Sequence, residues 1–270
     1  MVSVIIPTYN RASFLDEAIS SVLRQDLKDF ELIVVDDGST DSTQEILAQY
    51  QDIRIIRKTH QGVSAARNAG IAFSRGDLIS FLDSDDLWLP EKLSVQVEFF
   101  KSHPSALICQ TEEIWVRNGT RIYPKKRHKK FSGMIFEASL RLCIVSPSAV
   151  MMRKSFFDRV GYFDETLPAC EDYDLWLRTA ARIPIHLIET PLVIKRGGHK
   201  DQLSQIGSLD RFRIRSLQKI LESGILDQKK YSAALEVLKE KCNIYGMGCI
   251  KRGRIEEGNY YLRLPTYYQD

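Results

Sequence analysis

The sequence predicts an α/β protein with a doubly wound, mostly parallel sheet flanked by helices, followed by a C-terminal helical appendage. Short, continuous apolar runs alternate with helical patterns over residues 2–90. Such runs are typical of parallel strands that are buried on both faces. From Ser208 onward only helical periodicity is found, and this indicates the appendage.

The first half of the sheet follows from four apolar runs and the helices between them. Ser13 and Asp16 resemble a capping box at the start of the first helix. The later helices are expected up to about Tyr50 and over Gly62–Ser74. The predicted strands are Val2–Ile6, Glu31–Val35, Ile53–Arg57 and Ile79–Leu82.

The pattern changes after Pro90, which suits the first position of a helix. Asn118-Gly119 lies between two strand-like runs and predicts a hairpin. Further strands are predicted at Ala149–Met152, Ile185–Ile188 and Leu192–Lys195, and a helix at Glu171–Arg182. We therefore expect a main domain at residues 1–206, with halves at 1–104 and 105–206, and a helical extension at 207–270.

Composition narrows the class of protein. Among 270 residues, 44% are hydrophobic and 27% charged, as in ordinary soluble proteins. A net charge of +3 is too small to indicate a nucleic-acid partner. The five cysteines are scattered without CxxC spacing, which favours reduced thiols and a cytoplasmic location. No apolar run approaches the roughly 20 residues that a membrane span needs.

An acidic turn follows the strand at Ile79–Leu82 and contains Asp83, Asp85 and Asp86. Ligands of open α/β sheets bind beyond the carboxyl ends of the strands. Carboxylates this close repel one another unless a cation lies between them. Oxygen ligands suit Mg²⁺ or Mn²⁺, which also hold a diphosphate. The alternative is a solvated acidic turn that caps the helix near Pro90.

A basic loop at residues 125–130 follows the predicted hairpin. Such a run of charge is usually a solvated loop. Two functional interpretations stay open: a mobile flap over an anionic donor, or peripheral association with an anionic lipid surface at the inner face of the membrane.

Five motifs occur in order along residues 2–200: SVIIPTYNR, VVDDGSTDST, GVSAARNAGI, FLDSDDLW and CEDYDLWLR. With them the chain resembles the inverting glycosyltransferases of family 2, which have the GT-A fold. The resemblance implies a nucleotide-sugar donor, most often a UDP-sugar, and a divalent metal, Mn²⁺ or Mg²⁺. It also implies a saccharide or lipid-linked saccharide as acceptor. Residues 1–104 would then be the nucleotide-binding half and residues 105–206 the acceptor half.

On this resemblance, several residues of the first half would bind the nucleotide. Pro7, Thr8 and Tyr9 match the loop that packs on the base and ribose of the nucleotide. Alternatively, these residues only pack at the end of the strand. Asp37 matches the carboxylate that accepts the N3–H of uracil, unless it only stabilises its turn. Arg67 matches a position that faces the nucleotide phosphates, unless it is an ordinary helical surface arginine.

The acidic turn matches the DxD motif of the family. Asp83 would contact the ribose or a metal-bound water, Asp85 would bind the metal directly, and Asp86 would cap the turn. His199 follows Gly197-Gly198 and matches a further metal or phosphate ligand of some relatives. The other four histidines are interpreted as structural.

Glu171 and Asp172 match the ED pair of the family, in which Asp172 would be the general base and Glu171 would support it. The alternative is a helix start whose acidic residues complement the helix dipole. Trp176, one turn later, suits either the core or an acceptor platform.

The sequence thus predicts a metal-dependent sugar transferase that works by a single displacement with inversion. A nucleotidyltransferase is disfavoured because no glycine-rich loop with Arg and Lys follows the first strand. A nucleotide-sugar-binding protein without turnover is disfavoured because the ED pair and the DxD motif are both intact. Sugar and acceptor stay undetermined, since their contacts lie at residues 105–170 and 196–210.

Overall fold

A computed structural model describes residues 1–198 and 209–268 of the chain. Within these ranges nine strands form one sheet. The strands are β1 (Val2–Thr8), β2 (Phe30–Asp36), β3 (Arg54–Arg57), β4 (Leu78–Phe81), β5 (Leu87–Trp88), β6 (Ile108–Arg117), β7 (Thr120–Ile122), β8 (Val150–Arg153) and β9 (His186–Gly197).

Helices cover both faces of this sheet and form the C-terminal region. Those of the main domain are α1 (Ala12–Leu23), α2 (Thr43–Leu47), α3 (Val63–Phe73), α4 (Lys92–Ser102), α5 (Phe136–Ser139), α6 (Phe156–Val160) and α7 (Glu171–Ala180). The C-terminal ones are α8 (Leu209–Glu222), α9 (Gln228–Lys251) and α10 (Ile255–Arg263).

Residues 1–104 have the predicted parallel sheet. Strand β1 pairs in parallel with β2 and with β4, and β2 pairs in parallel with β3. Every residue of β1 is buried, which explains its continuous apolar run. Because these strands run the same way, their carboxyl ends meet at one edge of the sheet.

Residues 105–198 extend the sheet with both parallel and antiparallel strands. Strand β8 pairs antiparallel to both β4 and β6, and β6 pairs in parallel with β9. The two separate strands predicted at Ile185–Ile188 and Leu192–Lys195 are wrong, because β9 is continuous. Its pairing with β6 shifts register on either side of Glu112, which accommodates the intervening residues without ending the strand.

The predicted capping box of α1 is also wrong. Ser13 lies inside the helix, and Arg11 occupies the N-cap position without a side-chain cap. The backbone N–H of Ala12 instead donates to Asp41 Oδ2 at 3.0 Å, so a turn distant in sequence caps the helix. Sequence spacing could not show this contact, since it depends on how β2 and α1 pack.

The C-terminal helices share a hydrophobic cluster with the main domain. Ile214 and Leu217 of α8 and Leu238 of α9 belong to the same cluster as Phe81 and Trp176. Trp176 is 1% exposed, so it is a core residue and not an acceptor platform. The extension therefore packs on the main domain, as expected, whereas its division at residue 207 stays a prediction.

Candidate active site

The carboxyl ends of β1, β2 and β4 bring three of the five motifs together. Tyr9 follows β1, Asp37 follows β2 and Asp83 comes just after β4. Pro7 and Thr8 are buried within β1, while Tyr9 is 40% exposed. Of the three, only Tyr9 therefore presents a large surface to a ligand.

Asp37 is buried and held by the loop before α3. Its carboxylate accepts backbone N–H bonds from Gln61 at 3.0 Å and Gly62 at 2.7 Å, and it contacts His60 Nδ1 at 2.9 Å. A carboxylate offers about four acceptor positions, so one further donor can be accommodated. His60 also stacks on Tyr9, with ring centroids 3.9 Å apart. The sequence analysis interpreted His60 as structural and did not predict that it would lie beside Tyr9 and Asp37, the residues expected to contact the nucleobase.

Arg67 joins two motifs that are far apart in sequence. Its Nη2 donates to Asp83 Oδ1 and its Nη1 to Glu171 Oε1, both at 2.6 Å. Arg67 is 3% exposed, and its pKa is raised because the two carboxylates outweigh the effect of burial. The guanidinium also lies 5.1 Å from the centre of the Phe163 ring. The DxD and ED motifs thus meet at one buried cation.

The three carboxylates of the acidic turn have different environments. Asp86 is buried and accepts bonds from Ser148 Oγ at 2.7 Å and from the backbone N–H of Arg196 at 2.9 Å. Its pKa is well above the usual range because of burial and of the nearby charges of Asp85 and Asp83. Asp83 and Asp85 are partly exposed. Asp86 thus joins the turn to distant segments of the chain, and its predicted role as the cap of the turn stays a prediction. Asp83 and Asp85 are exposed enough to reach a ligand.

The ED pair begins α7, and its two members differ in their partners. Glu171 is buried against Arg67, and its pKa is raised by burial, an effect that Arg67 opposes. Asp172 is partly exposed and accepts the backbone N–H of Tyr173 at 2.7 Å. Its other oxygen accepts the thiol of Cys143 at 3.4 Å. Burial and the Asp172 charge raise the pKa of Cys143, so this thiol is a neutral and weak donor.

The end of β9 lies beside the acidic turn and contributes two cations that sequence reasoning did not assign. Arg196 donates through its side chain to the backbone carbonyl of Asp85. Lys195 Nζ lies 3.4 Å from Ser146 Oγ. Burial opposes the charge of Lys195, but nearby carboxylates, foremost Glu113 and Asp86, raise its pKa. The only sequence signal for these positions was their place just before Gly197-Gly198.

The acidic turn provides part of a metal site. Among residues 1–198 and 209–268, no three His, Cys, Asp or Glu side chains converge in a way that would hold a metal ion. Asp83 and Asp85 nevertheless supply oxygen donors, and with Asp86 they place three carboxylates within four residues. Mg²⁺ is commonly held by one or two carboxylates together with substrate phosphates. His199 lies outside the described residues.

The family assignment comes from the sequence itself. The family described as Glycosyl transferase family 2 matches residues 3–161. The chain belongs to this family. The predicted family is therefore confirmed.

Relatives with high similarity carry glycosyltransferase names. An uncharacterized glycosyltransferase of Rickettsia felis is 34% identical over 71% of this chain, but the match covers only 32% of its own length. The chain thus spans about a third of that relative. YwdF of Bacillus subtilis, also an uncharacterized glycosyltransferase, is 30% identical, covering 87% of this chain and 89% of that protein.

A third relative has a specific name. The Escherichia coli enzyme WfgD, a UDP-Glc:alpha-D-GlcNAc-diphosphoundecaprenol beta-1,3-glucosyltransferase, is 31% identical over 66% of this chain and 68% of its own length.

Solved structures confirm the GT-A fold. TarS of S. aureus, residues 1–349 in complex with UDP-GlcNAc, superposes with a TM-score of 0.75 at 21% identity, covering 98% of this chain and 79% of that one.

The assigned roles of the individual site residues stay predictions. The structure brings Tyr9, Asp37, Asp83 and Asp172 to the edge where the strands end, and it places Arg67 between motifs instead of on an open helix surface. Every helix in the described part of the chain is too short or too polar to cross a bilayer.

Proposed function

We propose that the chain is an inverting glycosyltransferase that moves a sugar from a UDP-sugar to an acceptor hydroxyl, with Asp172 as the general base. The observation that carries this proposal is the double contact of Arg67. One guanidinium binds both Asp83 of the DxD motif and Glu171 of the ED pair, which supports a single site for the donor acids and the base.

The nucleotide end of this site suits a uracil base. Tyr9 and His60 form an aromatic pair on which a base can stack. Asp37 has capacity for one more donor, and uracil has an N3–H to offer. Two relatives support the choice of donor, since WfgD is named for UDP-Glc and TarS was solved with UDP-GlcNAc.

Asp172 is a better candidate base than Glu171. Arg67 holds Glu171 in a buried ion pair, and a carboxylate bound in this way is poorly placed to remove a proton. Asp172 is partly exposed, and its contacts are one backbone N–H and one weak thiol donor, so it keeps acceptor capacity. The acceptor hydroxyl gives its proton to Asp172 while its oxygen attacks the anomeric carbon. The bond to the diphosphate breaks in the same step, which inverts that carbon.

A divalent cation completes the proposal. Asp85 and Asp83, with His199 as a further candidate ligand, would hold Mn²⁺ or Mg²⁺, which neutralises charge on the departing diphosphate when bound. Arg67 meanwhile fixes the orientation of Asp83 beside the donor.

The acceptor class and location are part of the same proposal. A saccharide or a lipid-linked saccharide fits, and WfgD, whose name specifies a diphosphoundecaprenol acceptor, favours the latter. We place the protein in the cytoplasm, in keeping with its free cysteines.

The deciding experiment compares wild type with Asp172→Asn and Glu171→Gln. Nucleotide release is measured with a panel of nucleotide-sugars, Mn²⁺ and candidate acceptors, and UDP affinity is measured by calorimetry. Removing a general base costs about 10²–10⁴ in rate, so Asp172→Asn should transfer sugar at least a hundredfold more slowly while it binds UDP like wild type. Glu171→Gln should lose less turnover, because Glu171 supports and does not abstract.

Wild-type turnover in the Asp172→Asn variant would place the base elsewhere. UDP binding without turnover of any donor would instead favour a nucleotide-sugar-binding protein. Equal UDP affinity with and without Mn²⁺, in wild type and in Asp85→Ala, would remove the metal from the proposal.

A further inference from the structure

Residues 114–136 concentrate the positive charge of the chain. This stretch contains seven of the 38 Lys and Arg residues and none of the 35 Asp and Glu residues. The rest of the chain therefore carries 31 basic and 35 acidic side chains, a net charge of −4. The small overall charge of +3 conceals this asymmetry.

The structure anchors the basic loop and exposes its cations. Lys130 is buried, with Nζ 3.0 Å from Glu113 Oε1 and 2.9 Å from the carbonyl of Thr111. The ring of His128 contacts Trp115, with centroids 5.0 Å apart. The remaining cations are exposed: Arg117, Arg121, Lys125, Lys126, Arg127 and Lys129. The loop is thus neither fully solvated nor a free flap, because its last residue is fixed in the interior.

Large apolar side chains lie exposed among these cations. Tyr123 is 82% exposed, Met134 55% and Phe131 42%. Arg121 lies over the Tyr123 ring at 5.5 Å, and Lys129 lies over the Phe131 ring at 5.6 Å. Basic side chains interleaved with exposed aromatic ones are characteristic of surfaces that rest in the interface of an anionic bilayer. An anionic polymer would require the cations but not the exposed apolar groups.

This surface adjoins the candidate active site. Strand β6, which begins the basic stretch, pairs with the end of β9, so that Trp115 lies opposite Lys195. Arg196, the next residue of β9, donates its backbone N–H to Asp86 of the acidic turn. A membrane bound at residues 117–134 would therefore lie near the acidic turn of the candidate active site.

We propose that residues 117–134 form a docking surface for an anionic phospholipid bilayer. The six exposed cations contact lipid phosphates, and Tyr123, Phe131 and Met134 enter the headgroup region. On the proposed function, this orientation would present the active site to a lipid-linked acceptor. The docking itself does not depend on that function, since it requires neither nucleotide nor turnover.

Vesicle cosedimentation of the full chain tests the proposal. The probes are phosphatidylcholine vesicles with and without phosphatidylglycerol. A cation near an anionic membrane contributes about 1 kcal/mol, or about fivefold in partition coefficient. The variant K125Q/K126Q/R127Q/K129Q should therefore bind anionic vesicles several hundredfold more weakly. The matched control K101Q/R141Q/K229Q/K251Q removes four exposed cations elsewhere and should bind like wild type.

A second variant separates a bilayer from an anionic polymer. Tyr123→Ser with Phe131→Ser should weaken binding to anionic vesicles at least tenfold in high salt, where the electrostatic attraction is screened. The same variant should leave binding to dextran sulfate unchanged. UDP affinity and circular dichroism should match wild type in every variant, which separates a docking failure from a failure of the donor site.

Three results would overturn the proposal. The first is that wild type does not bind anionic vesicles. The second is that the control variant loses as much binding as the loop variant, so that only net charge matters. The third is that Tyr123→Ser with Phe131→Ser binds vesicles like wild type, which would assign the surface to an anionic polymer.

Discussion

Replacing Arg67 by Met tests whether this buried guanidinium holds the two acidic motifs together. The change removes the one cation that pairs with Glu171 among residues 1–198 and 209–268, and it leaves that carboxylate buried. Breaking a buried ion pair by removing one partner costs about 3–5 kcal/mol. Because the Asp83 side chain is 30% exposed and can be solvated, we expect the lower end, about 3 kcal/mol.

Urea unfolding, followed by circular dichroism at neutral pH, measures this cost. Arg54→Met is a suitable control, because Arg54 pairs with Glu31 at 2.8 Å but its side chain is 34% exposed. The Glu31 side chain is only 12% exposed, but it keeps hydrogen bonds from Ser3 Oγ and from the backbone N–H of Arg75. The control should therefore lose less stability than Arg67→Met. Adding Glu171→Gln to Arg67→Met removes the stranded charge and should restore part of the loss.

The pH dependence of the stability of Arg67→Met gives a second, independent test of the role of Arg67. Without Arg67, the pKa of Glu171 should rise further above its value in the unfolded chain, because burial and Asp172 already raise it. The folded variant then binds a proton more tightly than the unfolded chain does. Its stability should therefore recover at mildly acidic pH and fall as pH rises through the folded-state pKa. A variant as stable as Arg54→Met at neutral pH, with no such recovery, would refute the assignment of Arg67.

Three further variants test other contacts. Asp41→Ala should lower the free energy of unfolding in urea by about 1 kcal/mol, because it removes the acceptor that caps the N–H of Ala12. Burial raises the pKa of Asp41 but hydrogen bonds lower it further, so the difference in stability between wild type and variant should shrink at acidic pH. Lys92→Met should make thermal unfolding less dependent on pH, because burial lowers the pKa of Lys92 and wild type loses stability as pH falls from the pKa of lysine in the unfolded chain to this lowered value. Asp37→Ala should reduce the preference for UDP over CDP by about tenfold in calorimetry; undiminished preference would mean that uracil is recognised elsewhere.

Local sequence patterns predicted an element correctly where its position depends only on residue types that are close together in the sequence. The apolar runs predicted the parallel strands, because strands buried on both faces need apolar side chains at every position. The acidic turn was predicted to follow a strand end, and the structure places it there. The carboxylates at the start of α7 were likewise found where the helix begins.

Local patterns failed where a contact joins distant segments. The cap of α1 comes from Asp41, and no spacing rule within the helix could predict it. Arg67 was expected either at a nucleotide or on an open surface. It is buried between Asp83, Glu171 and the Phe163 ring, which come from separate stretches of the chain.

The sequence by itself determined the family, the parallel sheet and the order of the motifs, because these depend on residue types and on spacing along the chain. Only the tertiary structure decided which charges are paired. It divided the acidic turn into a buried Asp86 and the partly exposed Asp83 and Asp85, and it distinguished the bound Glu171 from Asp172. The physical reason is that the strength of a charge interaction depends on distance and on exclusion of water, and both arise only when β4, α3 and α7 come together.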